Sequence, residues 1–323
     1  MILEHGNTVK TKLSLRTATA ILFMGLLGMA ILSAMHVLPT SVYCLDNTPP
    51  EIELILKPES VIQGRTLMLV AQSDQPISRI TGRIFRKDAE FYRNGDIYRS
   101  LVGIPVSQKP GQYAIEITVE GQNGNQSRLQ KTIQVMEGDF GRGSIIALPK
   151  SKSHLATDDE LQKIDSAKRS EAYKQLELNQ LWQDKSISPT EGRISSAFGA
   201  HHIFKGKAGF AHSGLDIANK VGTPVKAANF GIVALAETLP IGGTSVIINH
   251  GQEVFSVYCH LDSISVNKGN KVDKGQLIGT MGTTGRSTGS HLHWEFRING
   301  VPVDPTEWTE RDFSWDGTEK SEP

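Results

Sequence analysis

Short period-two apolar runs, each closed by a turn signal, constrain this chain more than any other feature. Tyr113-Ala114-Ile115-Glu116-Ile117-Thr118-Val119 alternates cleanly, Gln122-Asn123-Gly124-Asn125 turns, and Leu129–Val135 resumes. Alternation puts every second side chain on one face of a strand. Similar runs at Ile52–Leu56, Thr66–Val70 and Ile97–Val102, with Pro58 and other turn formers between them, predict a small β-sandwich over residues 48–137. The 31 Gly and 14 Pro of the chain suit a turn-rich all-β protein. Its 323 residues leave room for about two domains.

In pattern, though in no specific motif, the 48–137 segment resembles an immunoglobulin-like domain. It has no Cys pair and no cluster of chemically active side chains, so it reads as a spacer or accessory module that folds by itself. Lys+Arg and Asp+Glu both total 34, and this balance argues against an electrostatic nucleic-acid binder. Cys44 and Cys259 are the two cysteines, too few for a disulfide scaffold or a Cys₄ zinc site.

Ala20–Leu38 is nineteen residues without a formal charge, preceded by Lys10, Lys12 and Arg16. A helix of that length crosses most of a hydrocarbon core of about 30 Å. The flanking charges keep residues 1–19 in the cytoplasm and export the rest. The run is longer than a usual signal-peptide core and no A-x-A site follows. It reads as an uncleaved anchor, with a cleaved signal peptide as the alternative. Residues 138–189 read as a linker with a helix. Thr157-Asp158-Asp159-Glu160 fits a capping box that uses Thr157 and Glu160. Leu161, Ile164, Ala172 and Leu176 would share a helical face in a helix region running through Trp182.

The chemistry lies in residues 190–310, where seven of the ten histidines fall between 201 and 293. His212-Ser213-Gly214-Leu215-Asp216 sets an imidazole and a carboxylate four apart, with Gly209 and Gly214 opposing a helix. His291-Leu292-His293 turns two imidazoles to one strand face, with Leu292 and Trp294 facing a core. By the same alternation Tyr258 and His260 share a face and Cys259 opposes it as a small buried hydrophobe. His212, Asp216, His260, His291 and His293 thus form one candidate set. Three protein ligands with an open position is the catalytic zinc arrangement, and two histidines with a carboxylate is a known ligand set. The remaining two histidines suit proton transfer. His250 reads as a turn residue, His201 and His202 as loop residues, and Asp304 as fixing the C-terminal turn.

Three motifs resemble the lysostaphin-like zinc metallopeptidases of the LytM-domain type. They are His212-Ser213-Gly214-Leu215-Asp216-Ile217, Tyr258-Cys259-His260-Leu261, and the run Gly282-Thr283-Thr284-Gly285-Arg286-Ser287-Thr288-Gly289-Ser290-His291-Leu292-His293-Trp294-Glu295. Gly222-Thr223-Pro224-Val225, Gly275-Gln276-Leu277-Ile278-Gly279 and Val303-Asp304-Pro305 follow in family order. The sequence departs from the family pattern at Asn229-Phe230-Gly231 and Ala200-His201-His202, which bears on substrate preference.

The resemblance implies a largely antiparallel all-β metallopeptidase domain over 190–310, with residues 311–323 as a tail. It implies one Zn²⁺ per chain on His212, Asp216 and His293. His260 and His291 become the catalytic histidines, with exchangeable roles. The implied activity is hydrolysis of peptide bonds in bacterial peptidoglycan, as endopeptidase or carboxypeptidase, in the cell envelope outside the cytoplasm. A non-catalytic wall-binding module that activates another hydrolase is the alternative. The implied partner is the peptidoglycan peptide; the anchor reading adds the membrane through residues 20–38, and the accessory-module reading adds a cell-wall protein through the β-sandwich. Residues 48–137 are expected to be dispensable for hydrolysis in solution.

Overall fold

Apolar alternation settles which faces of the strands meet. A computed structural model describes residues 48–314 apart from 147, 157, 205 and 206, with backbone alone described at 142–146, 156, 202–204 and 207–210. The run at 20–38 lies outside the described residues. No helix among the described residues is long and apolar enough to cross a membrane.

The N-terminal segment builds two sheets. One orders the strands Ile52–Lys57, Thr66–Ser73, Ile97–Gly103 and Tyr92–Asn94. The other orders Ser60–Ile62, Gln126–Met136, Gly111–Gly121, Ile77–Ile84 and Lys87–Ala89. Neighbours are antiparallel except Ser60–Ile62, which runs parallel to Gln126–Met136. Leu54, Leu56, Leu67 and Leu69 of the first sheet share one core with Ile115, Ile117, Val119, Ile133 and Val135 of the second. Each of the five strand-like runs of the sequence lies in a strand; Ile77–Ile84, which contains Gly82, is an additional one.

The first sheet is buried on both sides. Met68 and Leu101 point away from the shared core and join that of the C-terminal domain, with Val70 packed against it. Polar contacts accompany them: Asp304 N–H donates to Gly64 O at 2.8 Å, Thr66 N–H to Glu307 Oε2 at 2.8 Å, and Trp308 Nε1 to Thr66 Oγ1 at 3.2 Å. Arg99 is 1% exposed. Its NH1 donates to Phe313 O at 2.6 Å and its NH2 to Gln180 Oε1 and Gln252 Oε1, each at 2.7 Å. Burial pushes this guanidinium down to about 9.

The segment expected as linker carries structure of its own. Arg142–Ile146 pairs parallel with His201–Phe204, and Lys150–Ala156 is a 3₁₀ helix. Helix α1, Asp159–Tyr173, starts one residue later than the capping box predicts. Asp158 is its cap, with Oδ1 accepting from Leu161 N–H at 3.0 Å, while Thr157 lies outside the described residues. The helix stops at Tyr173 and does not run on to Trp182. Leu176 is 70% and Ile164 43% exposed. The inward face carries Ala172, as expected, but beside it Asp165, because it meets polar backbone as well as the sheet.

The C-terminal domain is an antiparallel sheet ordered Arg193–Ser196, Leu215–Ala218, His291–Ile298, Val254–Ile264, Gly243–Gly251, Gly231–Leu239 and Lys271–Val272. Leu292, Trp294 and Phe296 face the core that takes in Met68 and Leu101. Ala172 of α1 packs on the other face with Leu235, Ile247, Phe255 and Val257. Asp304 accepts from Thr306 N–H at 2.9 Å and caps a short helix, α2, Pro305–Glu310, so it fixes the C-terminal turn as predicted.

Candidate metal centre and active site

Alternation along His291–Ile298 turns His291, His293 and Glu295 away from the apolar core and leaves Leu292 and Trp294 buried in it. His293 pairs across the sheet with Asp216 on one side and with Cys259 on the other. His212 enters from the segment before Leu215–Ala218, its backbone N–H bonded to Ala200 O and its carbonyl accepting from Gly199 N–H. The five predicted residues line one open pocket of about 270 Å³.

His260 arrives by a route that alternation does not predict. The pairing of Val254–Ile264 with Gly243–Gly251 jumps from Tyr258↔Val246 to Leu261↔Thr244. Two residues, Cys259 and His260, therefore oppose Ser245 alone, a β-bulge. His260 takes a left-handed φ of 62°. Tyr258 stays in the apolar core, where its hydroxyl accepts from Ala228 N–H at 2.7 Å. The expectation that Tyr258 and His260 share a face is thus corrected: Cys259 and His260 both line the pocket.

Three acceptor atoms meet at one point. His212 Nε2 lies 3.0 Å from His293 Nδ1 and 3.1 Å from Asp216 Oδ1, and His293 Nδ1 lies 2.9 Å from Asp216 Oδ1. These three residues form a group able to hold a metal. His212 Nδ1 donates to Ala197 O at 2.9 Å. A carbonyl only accepts, so the neutral ring keeps its lone pair on Nε2. His293 Nε2 faces Glu295 Oε1 at 2.9 Å, which aims Nδ1 at the same point. One proton satisfies one of the three contacts, whereas a cation satisfies all three. Ligands of a tetrahedral zinc at about 2.0 Å stand roughly 3.3 Å apart, near the spacing here. The residues fit the ion.

Electrostatics reinforce the demand for positive charge. Burial opposes ionisation of Asp216, but hydrogen bonds from His212 and His293 hold it well below the carboxylate range. Burial lowers His293 as well, yet Asp216 and Glu295 raise it to about 10. With no metal bound, the proton sits there, and a metal displaces it. Burial would raise Glu295, but Arg297, His293 and Arg169 hold it well below its usual value.

The other two histidines stand beside this point. Nδ1 of His260 donates to Thr284 O at 2.8 Å, and Nδ1 of His291 to Gly289 O at 2.9 Å. Their Nε2 atoms are thereby acceptors, and His291 Nε2 is 3.7 Å from Asp216 Oδ2. The rings lie 4.9 Å apart. Burial, with His291 and His293 adding to it, drives His260 well below the usual histidine range; burial also lowers His291. Both are neutral bases at neutral pH. The loop that ends at His291 is anchored where Gly243 and Gly285 touch back to back, both with positive φ (65° and 64°). A Cβ on either would collide with the backbone of the other.

Comparison with known proteins fits this geometry. The profile described as peptidase family M23 matches residues 210–305. Residues 210–305 are a family M23 domain. A 114-residue stretch of the chain is 44% identical to the peptidoglycan DD-endopeptidase ShyA of Vibrio cholerae, covering 34% of this chain and 26% of that protein. The ShyC DD-endopeptidase of the same organism is 33% identical over 198 residues, 59% of this chain and 44% of that one. The chain thus spans between a quarter and a half of the length of these curated relatives. A crystal structure assigned to peptidase M23 from Pseudomonas aeruginosa superimposes with a TM-score of 0.54 at 27% identity, covering 77% of this chain and 94% of that one.

Around the M23 domain's five residues stand others that sequence reasoning passed over. Glu295 follows His293 by two and so shares its strand face, a signal present in the sequence. It also accepts from Ser213 Oγ at 2.9 Å and from Arg297 NH1 at 2.6 Å. Asp165 and Arg169 reach the pocket from α1, with no local signal. His250 is corrected from turn residue to core residue: it is 0% exposed in the Gly243–Gly251 strand and stacks on Phe296. It bonds Phe230 O and Ser256 Oγ at 2.6 and 2.7 Å, and burial pushes it down to about 4. His201 and His202 lie in the strand His201–Phe204, not in a loop. Among the described residues Cys259 is outside the metal group.

Proposed function

We propose that the chain is a zinc-dependent peptidase hydrolysing peptide bonds of bacterial peptidoglycan. The observation that carries this reading is the convergence of three acceptor atoms beside two histidines held in their base form. His212 Nε2, Asp216 Oδ1 and His293 Nδ1 hold one Zn²⁺ per chain. The ion supplies Lewis acidity toward the scissile carbonyl and the attacking water. His291, whose Nε2 is kept as acceptor by the Gly289 carbonyl, takes the proton of that water as its oxygen bonds to the carbonyl carbon. That proton goes to the amine as the C–N bond breaks, handed over by His291 itself or relayed through Nε2 of His260, whose ring lies 4.9 Å away and which, once so protonated, stabilises the developing oxyanion. Their roles are exchangeable.

In this reading residues 48–137, immunoglobulin-like in pattern, join a cell-wall protein and hold the peptidase at its substrate. Residues 20–38 anchor the chain, so that it works outside the cytoplasmic membrane.

Digestion of purified peptidoglycan with the zinc-loaded chain, followed by mass analysis, is the test. Cross-linked muropeptides are expected to fall to uncross-linked ones, or, for a carboxypeptidase, stem peptides to lose a terminal residue. A chelator is expected to abolish release and added Zn²⁺ to restore it. A zinc-loaded chain that binds the wall but releases nothing overturns the peptidase and leaves the wall-binding activator.

His260→Asn gives a second check. Asn tolerates the left-handed backbone that His260 occupies, so relief there offsets the lost bond to Thr284 O, each worth about 1 kcal/mol. The variant is expected to melt within about 4 °C of the parent while hydrolysis is lost. Retained hydrolysis refutes the role given to the imidazole.

A further inference from the structure

Helix α1 lies outside residues 210–305, yet it supplies a wall of the site pocket through Asp165 and Arg169. The two sit one turn apart, and Arg169 Nε donates to Asp165 Oδ1 at 2.7 Å. Their side chains are 16% and 7% exposed for Arg169 and Asp165 respectively. A buried ion pair holds only if its remaining donors and acceptors are used, and here they run to the parts that carry site groups.

Asp165 Oδ2 accepts the backbone N–H of Ile241 at 2.8 Å and of Gly242 at 2.7 Å. The carbonyl of Gly242 accepts the N–H of His260 at 2.9 Å, the residue held left-handed in the bulge. On the other side Arg169 NH2 donates to Cys259 Sγ at 3.2 Å, and NH1 stands 3.7 Å from Glu295 Oε1, the oxygen that receives His293 Nε2. Gly242 is fitted to the guanidinium, since a Cβ there would collide with Arg169 NH2. Docking of the helix alone has other means: Ala172 and Tyr173 pack against the sheet, and Tyr173 meets Phe255 edge-on, with centroids 5.3 Å apart.

We infer that Asp165 and Arg169 are positioning residues: Asp165 sets the His260 ring through the Ile241–Gly242 turn, and Arg169 braces Glu295 behind His293. This rests on the peptidase reading above, and neither side chain is given a part in the chemistry. The peptidase fold thereby depends for its site geometry on a helix that precedes its family-matched segment.

The experiment compares Asp165→Asn, Arg169→Gln, Arg169→Lys and, on the exposed face of α1, Lys163→Ala in the full chain. Melting temperature, zinc affinity by competition with a chelating dye, and kcat and KM on a purified muropeptide are measured. Losses are expected on the scale of outer partners of a metal site, about 10–100-fold. Asp165→Asn loses that factor in kcat with KM and zinc affinity within about twofold. Arg169→Gln weakens zinc binding by about tenfold, Arg169→Lys recovers most of it, and Lys163→Ala changes nothing. If Asp165→Asn fails to fold, the pair Asp165→Asn/Arg169→Gln replaces it, because the neutral amides keep an acceptor for the Ile241 and Gly242 N–H groups and leave no unpaired charge buried. That pair, folded but with kcat reduced, supports the inference. Folded variants with parental kcat and zinc affinity overturn it, as do losses that merely track the unfolded fraction. If the parental chain binds zinc but cleaves nothing, the peptidase reading falls, and unchanged zinc affinity in Arg169→Gln still overturns the brace.

Discussion

His291→Ala is expected to keep its zinc and lose hydrolysis by about 10²–10⁴-fold, the usual worth of a positioned acid or base. Removing the ring leaves His212, Asp216 and His293 in place, so the converging acceptor atoms are untouched. Ligand substitutions behave oppositely. His212→Ala, Asp216→Ala or His293→Ala each removes one corner of the group and is expected to strip the metal as well as the activity. Metal analysis alongside muropeptide release separates the two classes. A His291→Ala chain that cleaves at the parental rate, or ligand variants that retain full zinc, refutes the assignment. The same measurement on His260→Ala shows which of the two histidines contributes more.

A chain starting at Asp158 is expected to lose stability heavily, because it takes Met68 and Leu101 out of the core shared with Trp294, Phe296 and Trp308. Each such side chain is worth about 1.5–3 kcal/mol when fully buried. The truncation also removes the Thr66 N–H from Glu307 Oε2 and the Arg99 guanidinium from Phe313 O. Against a total of about 5–15 kcal/mol, the loss lowers the melting temperature by roughly 10 °C or more. Thermal unfolding of this chain beside one starting at Asp46 decides the matter. Equal melting temperatures show that the first sheet rests on the peptidase domain without supporting it, as a spacer would.

The apolar run Leu67-Met68-Leu69-Val70-Ala71 carried a trace of this arrangement. A strand with one wet face alternates, whereas a strand buried on both faces is apolar throughout. What covers the second face is a long-range fact that no local pattern encodes. Four of the five site residues were legible in position because period two and short motifs place them: His291 and His293 on one face, His212 and Asp216 four apart. Glu295 obeyed the same period and was readable. The bulge at Cys259–His260 was not, since one extra residue reverses alternation without leaving a compositional mark. Helix α1 misled for a related reason. Its inward face was read from apolar spacing, which favoured Ile164, whereas two backbone N–H groups and a guanidinium make Asp165 the residue that belongs inside.

Gly243 and Gly285, whose backbones lie against each other, divide the segment from Gly282 to Ser290 into two halves with different tolerance for change. A Cβ at Gly285 meets the 241–243 turn, while one at Gly289 meets nothing within 4 Å, and Thr288 is exposed and faces the pocket. Anyone seeking to retarget the proposed peptidase to another peptide by randomising the loop would hold Gly243 and Gly285 fixed and spend the library on Thr288 and Gly289. Diversity placed at the glycine pair would be discarded at folding, before selection for a new substrate could act on it.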